Sequence, residues 1–327
     1  MKQRVLITGA SGFVGYHLIE SALRKNLDVF VAVRKSSDIR HLQSYQLHYT
    51  YPDFSSAEKL EEEIKKNNYS FIVHAAGTTK ARTADEYNLV NAGYTLNLAQ
   101  AIANCASQVQ KIVFMSSLGS IGPSTVANTL LNEQAVPTPV TTYGKSKLIA
   151  EQQLQQFNLP LVVLRPTAVY GPREKDIFIV LKTINSGLEP YIGKVQQQLS
   201  FVYVKDLADL TINALFSEGA GVYNITDGSC YGRYELARIT KAVLGKRTFK
   251  FHLPYGMVKG VAILLEKGYG LMNKTSVLNN EKLNELTALN WCCDIGKAVR
   301  ELQYDPQYNL ERGLTETLHW YKENKWL

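Results

Sequence analysis

The chain has 327 residues, a formal net charge of +7 and 45% hydrophobic residues, so it is long enough to bury a large core. Its lysines and arginines are scattered and form no basic run interleaved with aromatic residues, so we expect no nucleic-acid partner. The chain begins with an apolar strand pattern, and charges interrupt its later apolar stretch 258–272, so we expect no signal peptide and no integral membrane segment.

A glycine-rich turn follows the first apolar run. Arg4–Thr8 predicts a strand, and the apolar residues after the turn recur at helical spacing. Glycine permits a sharp turn and close approach to a pyrophosphate, whose charge is attracted by free N–H groups at a helix start. We therefore predict a dinucleotide site formed by Gly9, Ser11, Gly12, Phe13, Val14 and Gly15.

Apolar β-branched runs alternate with helical patterns through the first half of the chain. Further strands are predicted at 28–33, 47–50, 70–74, 111–116 and 161–164, and helices at 55–66, 85–106 and 142–157. This alternation predicts an α/β fold with a doubly wound parallel sheet of the Rossmann type.

The regular alternation weakens after Arg165-Pro166, and strand patterns return at 201–204 and 221–226. We place a dinucleotide-binding domain at 1–170, with 200–227 returning to it. A smaller, mostly helical C-terminal substrate lobe then comprises 171–199 and 228–327. The stretch 258–272 is interpreted as a helix covering this lobe, with peripheral membrane contact as the alternative.

The four cysteines, Cys105, Cys230, Cys292 and Cys293, have neither metal-ligand spacing nor the arrangement of a secreted disulfide framework. We expect no metal site, reduced thiols and a cytoplasmic location.

Ligands of such sheets bind beyond the carboxyl ends of the strands, where several chemically interesting residues fall. Tyr143 and Lys147 are four residues apart in a predicted helix and therefore share one face. A neighbouring ammonium and an oxidised nicotinamide would lower the pKa of the phenol from its usual ~10. Tyr143 can then exchange a proton with a substrate oxygen while hydride moves at the adjacent carbon.

Three serines lie just beyond the fifth predicted strand. The hydroxyl of Ser117 can hold a substrate carbonyl against Tyr143 and stabilise charge on its oxygen. Ser116 and Ser120 are the local alternatives, because serines after strands often cap or turn the chain.

Motifs in this order resemble the extended short-chain dehydrogenase/reductases, also known as the epimerase/dehydratase family. The matching segments are 8–15, 74–77, 114–117, 143–147, 164–172, 201–206 and 313–321. The resemblance implies a catalytic triad of Ser117, Tyr143 and Lys147, with Lys147 also binding the nicotinamide ribose. It assigns further cofactor contacts to Asp53, Phe54, Ala75, Ala76, Gly77, Asn91, Pro166 and Thr167. The helices 85–106 and 142–157 match those that pair into a homodimer.

Cofactor choice depends on the end of the second strand, where a carboxylate favours NAD and repels the extra phosphate of NADP. Here Arg34 and Lys35 precede two serines, a combination that suits a phosphate monoester. We therefore predict NADP. The alternative is a solvated basic turn with Asp38 serving NAD.

Substrate class is predicted from departures from the family pattern. Leu118-Gly119 replaces the acidic pair of the family's dehydratases, which argues against dehydration. Ala168 and Leu199 replace the Asn and Arg that usually hold a nucleotide-sugar diphosphate, although Arg173 or Lys194 could compensate.

These differences predict an NADP-linked oxidoreductase acting on a small, relatively apolar carbonyl or alcohol, as in the related flavonoid, steroid and aldehyde reductases. The alternatives are a nucleotide-sugar epimerase that retains its cofactor, and a non-catalytic sensor of the dinucleotide.

Overall fold

The computed structural model describes residues 2–105, 108–271 and 279–327, without the side chains of 267–271. Its main sheet has seven parallel strands in the order β11-β6-β5-β4-β1-β2-β3. These strands are β1 Arg4–Thr8, β2 Asp28–Ala32, β3 His48–Thr50, β4 Phe71–His74, β5 Lys111–Met115, β6 Leu161–Pro166 and β11 Gly221–Ile225. The predicted α/β fold with a doubly wound parallel sheet is confirmed.

The centre of this sheet is buried on both faces, which explains why its strands are continuously apolar. Val5, Leu6 and Ile7 of β1 are at most 1% exposed. One face packs against α1 Phe13–Arg24, α7 Val204–Ala214 and α11 Gly296–Leu302. The other packs against α2 Ala57–Asn67, α4 Tyr94–Asn104 and α5 Thr142–Leu154.

The winding direction of the sheet reverses between β1 and β4. From β1 the chain proceeds outward to β2 and β3, then crosses back to β4 and continues on the other side. The carboxyl ends of β1, β4 and β5 therefore meet at one edge. This edge is where a ligand binds in an open parallel sheet.

The remaining elements form smaller units with their own packing. Three two-stranded sheets pair β7 Ala168–Tyr170 with β10 Phe201–Tyr203, β8 Leu188–Ile192 with β13 Phe249–Leu253, and β9 Gln198–Leu199 with β12 Tyr231–Gly232. The helices are α3 Ala84–Asn88, α6 Asp176–Asn185, α8 Glu235–Leu244, α9 Tyr255–Leu271, α10 Asn280–Thr287 and α12 Leu310–Glu323. Tyr170, Leu181 and Tyr321 lie in a separate apolar cluster among them.

Two predictions of chain path need correction or completion. The segment 201–204 was expected to return to the main sheet, but β10 pairs with β7 instead, and only β11 joins the sheet edge. The predicted helix 85–106 consists of α3, a π-helical turn at Leu89–Gly93 and α4. Ala106 and Met272, at the ends of predicted helices, lie outside the described residues. The domain boundaries stay a prediction.

The cysteine prediction is wrong for one pair. Cys230 and Cys292 form a disulfide with their Cα atoms 5.5 Å apart, joining the loop after β11 to the segment between α10 and α11. Sequence spacing missed this pair because 62 positions separate the two residues. Cys105 and Cys293 form no disulfide and are buried.

Within the described ranges, no helix combines the length and apolar character needed to cross a membrane. No group of three or more metal-ligating side chains occurs in the same part of the chain.

Candidate active site

The turn after β1 has the geometry of an anion cradle. Gly9 has a φ of +71°, and a Cβ there would lie 2.6 Å from the carbonyl oxygen of Ala75. At Gly15 a Cβ would lie 2.2 Å from the carbonyl oxygen of Gly9. Gly12 is the N-cap of α1, and no described side chain caps that helix start. Its free N–H groups and positive dipole end fit the pyrophosphate of a dinucleotide.

A buried hydrogen-bond chain holds the neighbouring turn after β4. The Ala76 N–H donates to the Thr8 hydroxyl at 3.0 Å, and Thr8 and His74 Nδ1 are 2.8 Å apart. His74 Nε2 lies 3.0 Å from the Thr95 hydroxyl, which donates to the Asn91 carbonyl oxygen. Thr95 therefore accepts from His74 Nε2–H, and Nδ1 accepts from Thr8. Burial, with a smaller effect of Lys147, lowers the pKa of His74 to about 3.

Asn91 connects this turn to the helix that carries Tyr143 and Lys147. Its side-chain oxygen accepts from the Thr78 N–H at 2.7 Å, and its amide donates to the Ser146 hydroxyl at 2.9 Å. It lies in the π-helical turn, a local distortion that is frequent at functional sites. A Cβ on Gly77 would be 3.2 Å from Lys147 Nζ, so the structure brings Gly77, Asn91 and Lys147 together.

The start of α5 packs closely against the serine turn, the segment 116–120 that follows β5. Thr141 caps the helix by accepting from the Gly144 N–H at 3.0 Å. A Cβ on Gly144 would lie 2.2 Å from the carbonyl oxygen of Gly119. Only glycine therefore permits this approach, which places Tyr143 beside Ser117.

Lys147 is buried one helical turn beyond Tyr143. Its ammonium donates to the Met115 carbonyl oxygen at 2.8 Å and lies 4.9 Å from the centre of the Phe114 ring. Burial lowers the pKa of Lys147 to about 8, although the Glu151 carboxylate acts in the opposite direction.

The pKa of Tyr143 is raised in the ligand-free chain, and its lowering beside a bound oxidised nicotinamide stays a prediction. Burial raises the pKa of the phenol to about 12. The Ser117 hydroxyl opposes this rise, while the Glu285 carboxylate and Tyr87 add to it. The Lys147 ammonium donates to the Met115 carbonyl oxygen in this state. Tyr143 is therefore held as a protonated acid.

The three serines have different partners. Ser116 and Ser120 both donate to the Glu151 carboxylate, Ser120 at 2.7 Å. The Ser117 hydroxyl accepts from the Gly119 N–H at 3.1 Å and contacts Tyr143. Ser117 is therefore the one of the three that contacts Tyr143, and its role in binding a substrate oxygen stays a prediction.

The buried ion pair between Arg165 and Glu151, next to Ser116 and Ser120, was not predicted from the sequence. Arg165, at the end of β6, donates from Nε to both carboxylate oxygens of Glu151, at 3.0 and 3.1 Å, and Nη2 lies 2.5 Å away. The Arg165 and Glu151 side chains are only 6% and 1% exposed. A glutamate one turn after Lys147 and an arginine in an apolar strand were the available signals.

At the predicted adenosine end, Arg34 and Lys35 are exposed, and no carboxylate within the described ranges pairs with them. Asp38 instead binds Arg40 at 2.6 Å, and this contact lowers the pKa of the Asp38 carboxyl. Asp53 pairs with Lys59 at 2.7 Å, and contacts with Lys59 and Ser55 lower its pKa to about 2.

The other predicted cofactor residues lie along the same edge. Phe54 stacks on His74 with ring centres 6.1 Å apart. Pro166 ends β6, and the Thr167 N–H donates to the Ile225 carbonyl oxygen of β11 at 3.0 Å.

On the substrate side, α10 packs over the start of α5. The Glu281 carboxylate accepts from the Thr142 N–H at 2.9 Å and from its hydroxyl. The Tyr87 and Tyr143 rings are 6.5 Å apart. The packing of α10 over α5 was not predicted, because Thr142 and Glu281 are about 140 positions apart in the sequence.

Four residues decide whether the site has cations or polar groups that could hold a diphosphate. Ala168 is exposed, and Leu199 packs on the apolar cluster of the second lobe. Arg173 lies 4.0 Å from the centre of the Tyr16 ring and 5.6 Å from that of Trp320. It is therefore engaged with α1 and α12, while Lys194 is exposed.

Comparison with known proteins supports one family. A model described as the NAD dependent epimerase/dehydratase family matches residues 5–226. UDP-glucose 4-epimerase of Vibrio cholerae is 26% identical over 97% of this chain and 95% of its own. Ceramide reductase of Caulobacter vibrioides is 23% identical over 99% of this chain and 96% of its own. The solved structure of UDP-glucose 4-epimerase of Thermotoga maritima has a TM-score of 0.79 at 20% identity. The match covers 99% of this chain and 100% of the Thermotoga chain.

The serine assignment predicts opposite effects for two adjacent substitutions. Ser117→Ala should lower kcat by about 10² to 10³, because it removes a donor from the developing oxyanion, and leave the melting temperature nearly unchanged. Ser116→Ala should lower the melting temperature while largely preserving kcat, because it removes a partner of buried Glu151. Steady-state kinetics and thermal unfolding of both variants test this. Equal kinetic losses would contradict the assignment.

The buried neutral His74 predicts an acid-sensitive fold. Its pKa is about 3 when folded and ~6.5 when unfolded, so the unfolded chain binds more protons between these values. The stabilisation present above pH ~6.5 is lost as pH falls towards 3, by about 2 to 3 kcal/mol at pH ~4.5. Urea unfolding across this range should show a correspondingly smaller loss for His74→Gln. Parallel pH profiles would refute the buried neutral state.

Proposed function

The chain belongs to the NAD dependent epimerase/dehydratase family, and we propose that it is an NADP-linked oxidoreductase interconverting a carbonyl and an alcohol. The proposed substrate is uncharged and comparatively apolar. The observation that carries this choice is the charge around Tyr143. Glu285 is close enough to raise the pKa of its phenol, and Glu281 binds the adjoining residue Thr142.

Glu281, which pairs with no cation among the described residues, would repel a nucleotide diphosphate, while Lys282 neutralises Glu285. The cations of the 78–83 loop and α10 are already paired: Lys80 with Asp176 at 2.8 Å, Arg82 with Glu86 at 3.1 Å and Lys282 with Glu285 at 3.0 Å. Ala168 and Leu199 offer no charged donor. A charge-assisted hydrogen bond contributes roughly 1.5 to 3 kcal/mol, so a diphosphate would lose several kcal/mol here.

The proposed roles follow from the described contacts. A bound nicotinamide dinucleotide supplies or accepts the hydride at the substrate carbon. Tyr143, protonated at neutral pH, donates a proton to the carbonyl oxygen during reduction. Ser117 donates a hydrogen bond to the same oxygen. Lys147 binds the ribose and adds positive charge near the phenol when its ammonium moves from the Met115 carbonyl.

Arg34 and Lys35 are proposed to bind the additional phosphate of NADP. Both are exposed beside Ser37, whose hydroxyl accepts from the Arg34 N–H at 3.2 Å. The pairing of Asp38 with Arg40 supports this choice, because it removes the carboxylate that would serve NAD. Arg can also stack on adenine, which Lys cannot do in the same way.

The relatives support two reaction classes. The Caulobacter relative named ceramide reductase favours a reductase of an apolar substrate. The Vibrio relative named UDP-glucose 4-epimerase favours the alternative, an epimerase that oxidises and re-reduces its substrate on a retained cofactor. A homodimer through α4 and α5 and a cytoplasmic location stay predictions.

Activity assays separate the two classes. Purified protein should oxidise NADPH with members of a panel of aliphatic and aromatic ketones and aldehydes. Tyr143→Phe should reduce this rate by about 10² to 10⁴ without changing the Kd for NADPH, because only the proton donor is lost. UDP-sugar interconversion without coenzyme consumption would contradict this proposal and identify the protein as an epimerase.

Cofactor preference is tested at the adenosine end. Replacing both Arg34 and Lys35 with Ala should weaken NADPH binding by about 10² or more and leave NADH binding nearly unchanged. Asp38→Ala is the matched control and should change neither Kd, since its carboxylate serves Arg40. Fluorescence titration measures all three proteins. A selective loss of NADH binding in Asp38→Ala would instead identify an NAD site.

A further inference from the structure

An apolar face of α9 is exposed on the second lobe. Met257, Val261 and Leu264 are 59%, 46% and 72% exposed, and their spacing places them on one side of the helix. Val258 and Ala262 point the other way and are 7% and 0% exposed. The helix therefore has two apolar stripes, of which only the one with Val258 and Ala262 is buried in the chain.

The strand before α9 also carries exposed apolar side chains. Phe249 of β13 is 70% exposed, and its strand partner Leu188 is 45% exposed. Tyr255, which opens α9 after Pro254, is 41% exposed. One continuous segment thus carries a concentration of exposed large apolar side chains, which is unusual in a surface without a partner.

The same segment is strongly basic. Residues 236–265 contain six Lys or Arg and no Asp or Glu. Arg238 pairs with Glu235 and Lys241 with Glu189. The other four have no carboxylate partner among the residues that the structure describes: Lys246, Arg247, Lys250 and Lys259. Lys246 and Arg247 line a shallow depression of about 650 Å³ at the corner between α8 and β13.

We propose that this α9 surface, comprising Phe249, Met257, Val261 and Leu264 with the exposed cations Lys246 and Arg247, docks on an anionic lipid bilayer. Aliphatic side chains enter the boundary between headgroups and acyl chains, while Lys and Arg attract the anionic headgroups. The charged residues of the helix itself, Lys259 and Glu266, lie on the side away from Leu264.

The charge distinguishes a bilayer from the other possible occupants. A second copy placed symmetrically would oppose the same unpaired cations, and like charges across an interface are unfavourable. Nucleic acid would match the charge but would leave Met257, Val261 and Leu264 without an apolar partner. An anionic bilayer satisfies both parts of the surface.

Docking would also bring the candidate active site to the membrane. α9 packs against α10, and Glu281 of α10 binds Thr142 beside Tyr143. A substrate that partitions into lipid would then reach the site from the bilayer. The docking proposal stands on the surface alone and does not depend on the proposed reaction.

Sedimentation of the full chain with lipid vesicles tests the docking proposal. The protein should sediment with phosphatidylcholine vesicles that contain phosphatidylglycerol and remain in the supernatant with phosphatidylcholine alone. Replacing Lys246 and Arg247 with Gln should weaken partitioning about 25-fold, since each cation near an anionic surface contributes about five-fold. Met257→Gln with Leu264→Gln should abolish it. Thermal unfolding verifies that each variant is folded.

Matched controls lie elsewhere on the surface. Val136→Gln, at a side chain 82% exposed, and Lys322→Gln, at an exposed cation, should sediment like the unsubstituted protein. The proposal is overturned by absence of vesicle binding, or by equal losses in the controls. It is also overturned if the Met257 and Leu264 substitutions change only the oligomeric state in sedimentation velocity, which would identify a second copy as the occupant.

Discussion

The buried ion pair between Glu151 and Arg165 is the interaction on which the candidate site depends. It joins α5 to the end of β6, and the same carboxylate accepts hydrogen bonds from Ser116 and Ser120. Loss of one partner from such a pair typically destabilises a fold by about 3 to 5 kcal/mol, because the other charge stays buried. The pair therefore fixes where α5 starts relative to the serine turn, and with it the positions of Tyr143 and Ser117.

This arrangement also sets the protonation of the site. Desolvation favours the neutral forms of three groups near the turn: it lowers the pKa of His74 to about 3 and that of Lys147 to about 8, and raises that of Tyr143 to about 12. A neutral His74 with a fixed tautomer can bridge Thr8 and Thr95 without introducing charge. A protonated phenol whose pKa is raised by desolvation and by Glu285 suits proton donation to an uncharged carbonyl.

Much of the sheet could be predicted because its signals are local. The Arg4–Thr8 strand, the glycine turn and the Tyr143 helix each show their pattern within about twenty residues. Contacts between distant segments could not be predicted this way. The pairing of β10 with β7, the Cys230–Cys292 disulfide and the cover by α10 depend on packing that has no period in the sequence. The raised pKa of Tyr143 in the ligand-free chain was not predicted for the same reason, since it depends on burial and on Glu285.

The free protein holds Tyr143, a half-buried side chain, as a protonated acid whose pKa is raised by desolvation and by the Glu285 carboxylate. An ultraviolet difference titration of the unsubstituted protein against Tyr143→Phe measures this phenol directly. The account predicts a pKa well above the ordinary ~10, near 12, and a lower value in Glu285→Gln. A Tyr143 pKa at or below the ordinary value, unaffected by Glu285→Gln, would contradict it.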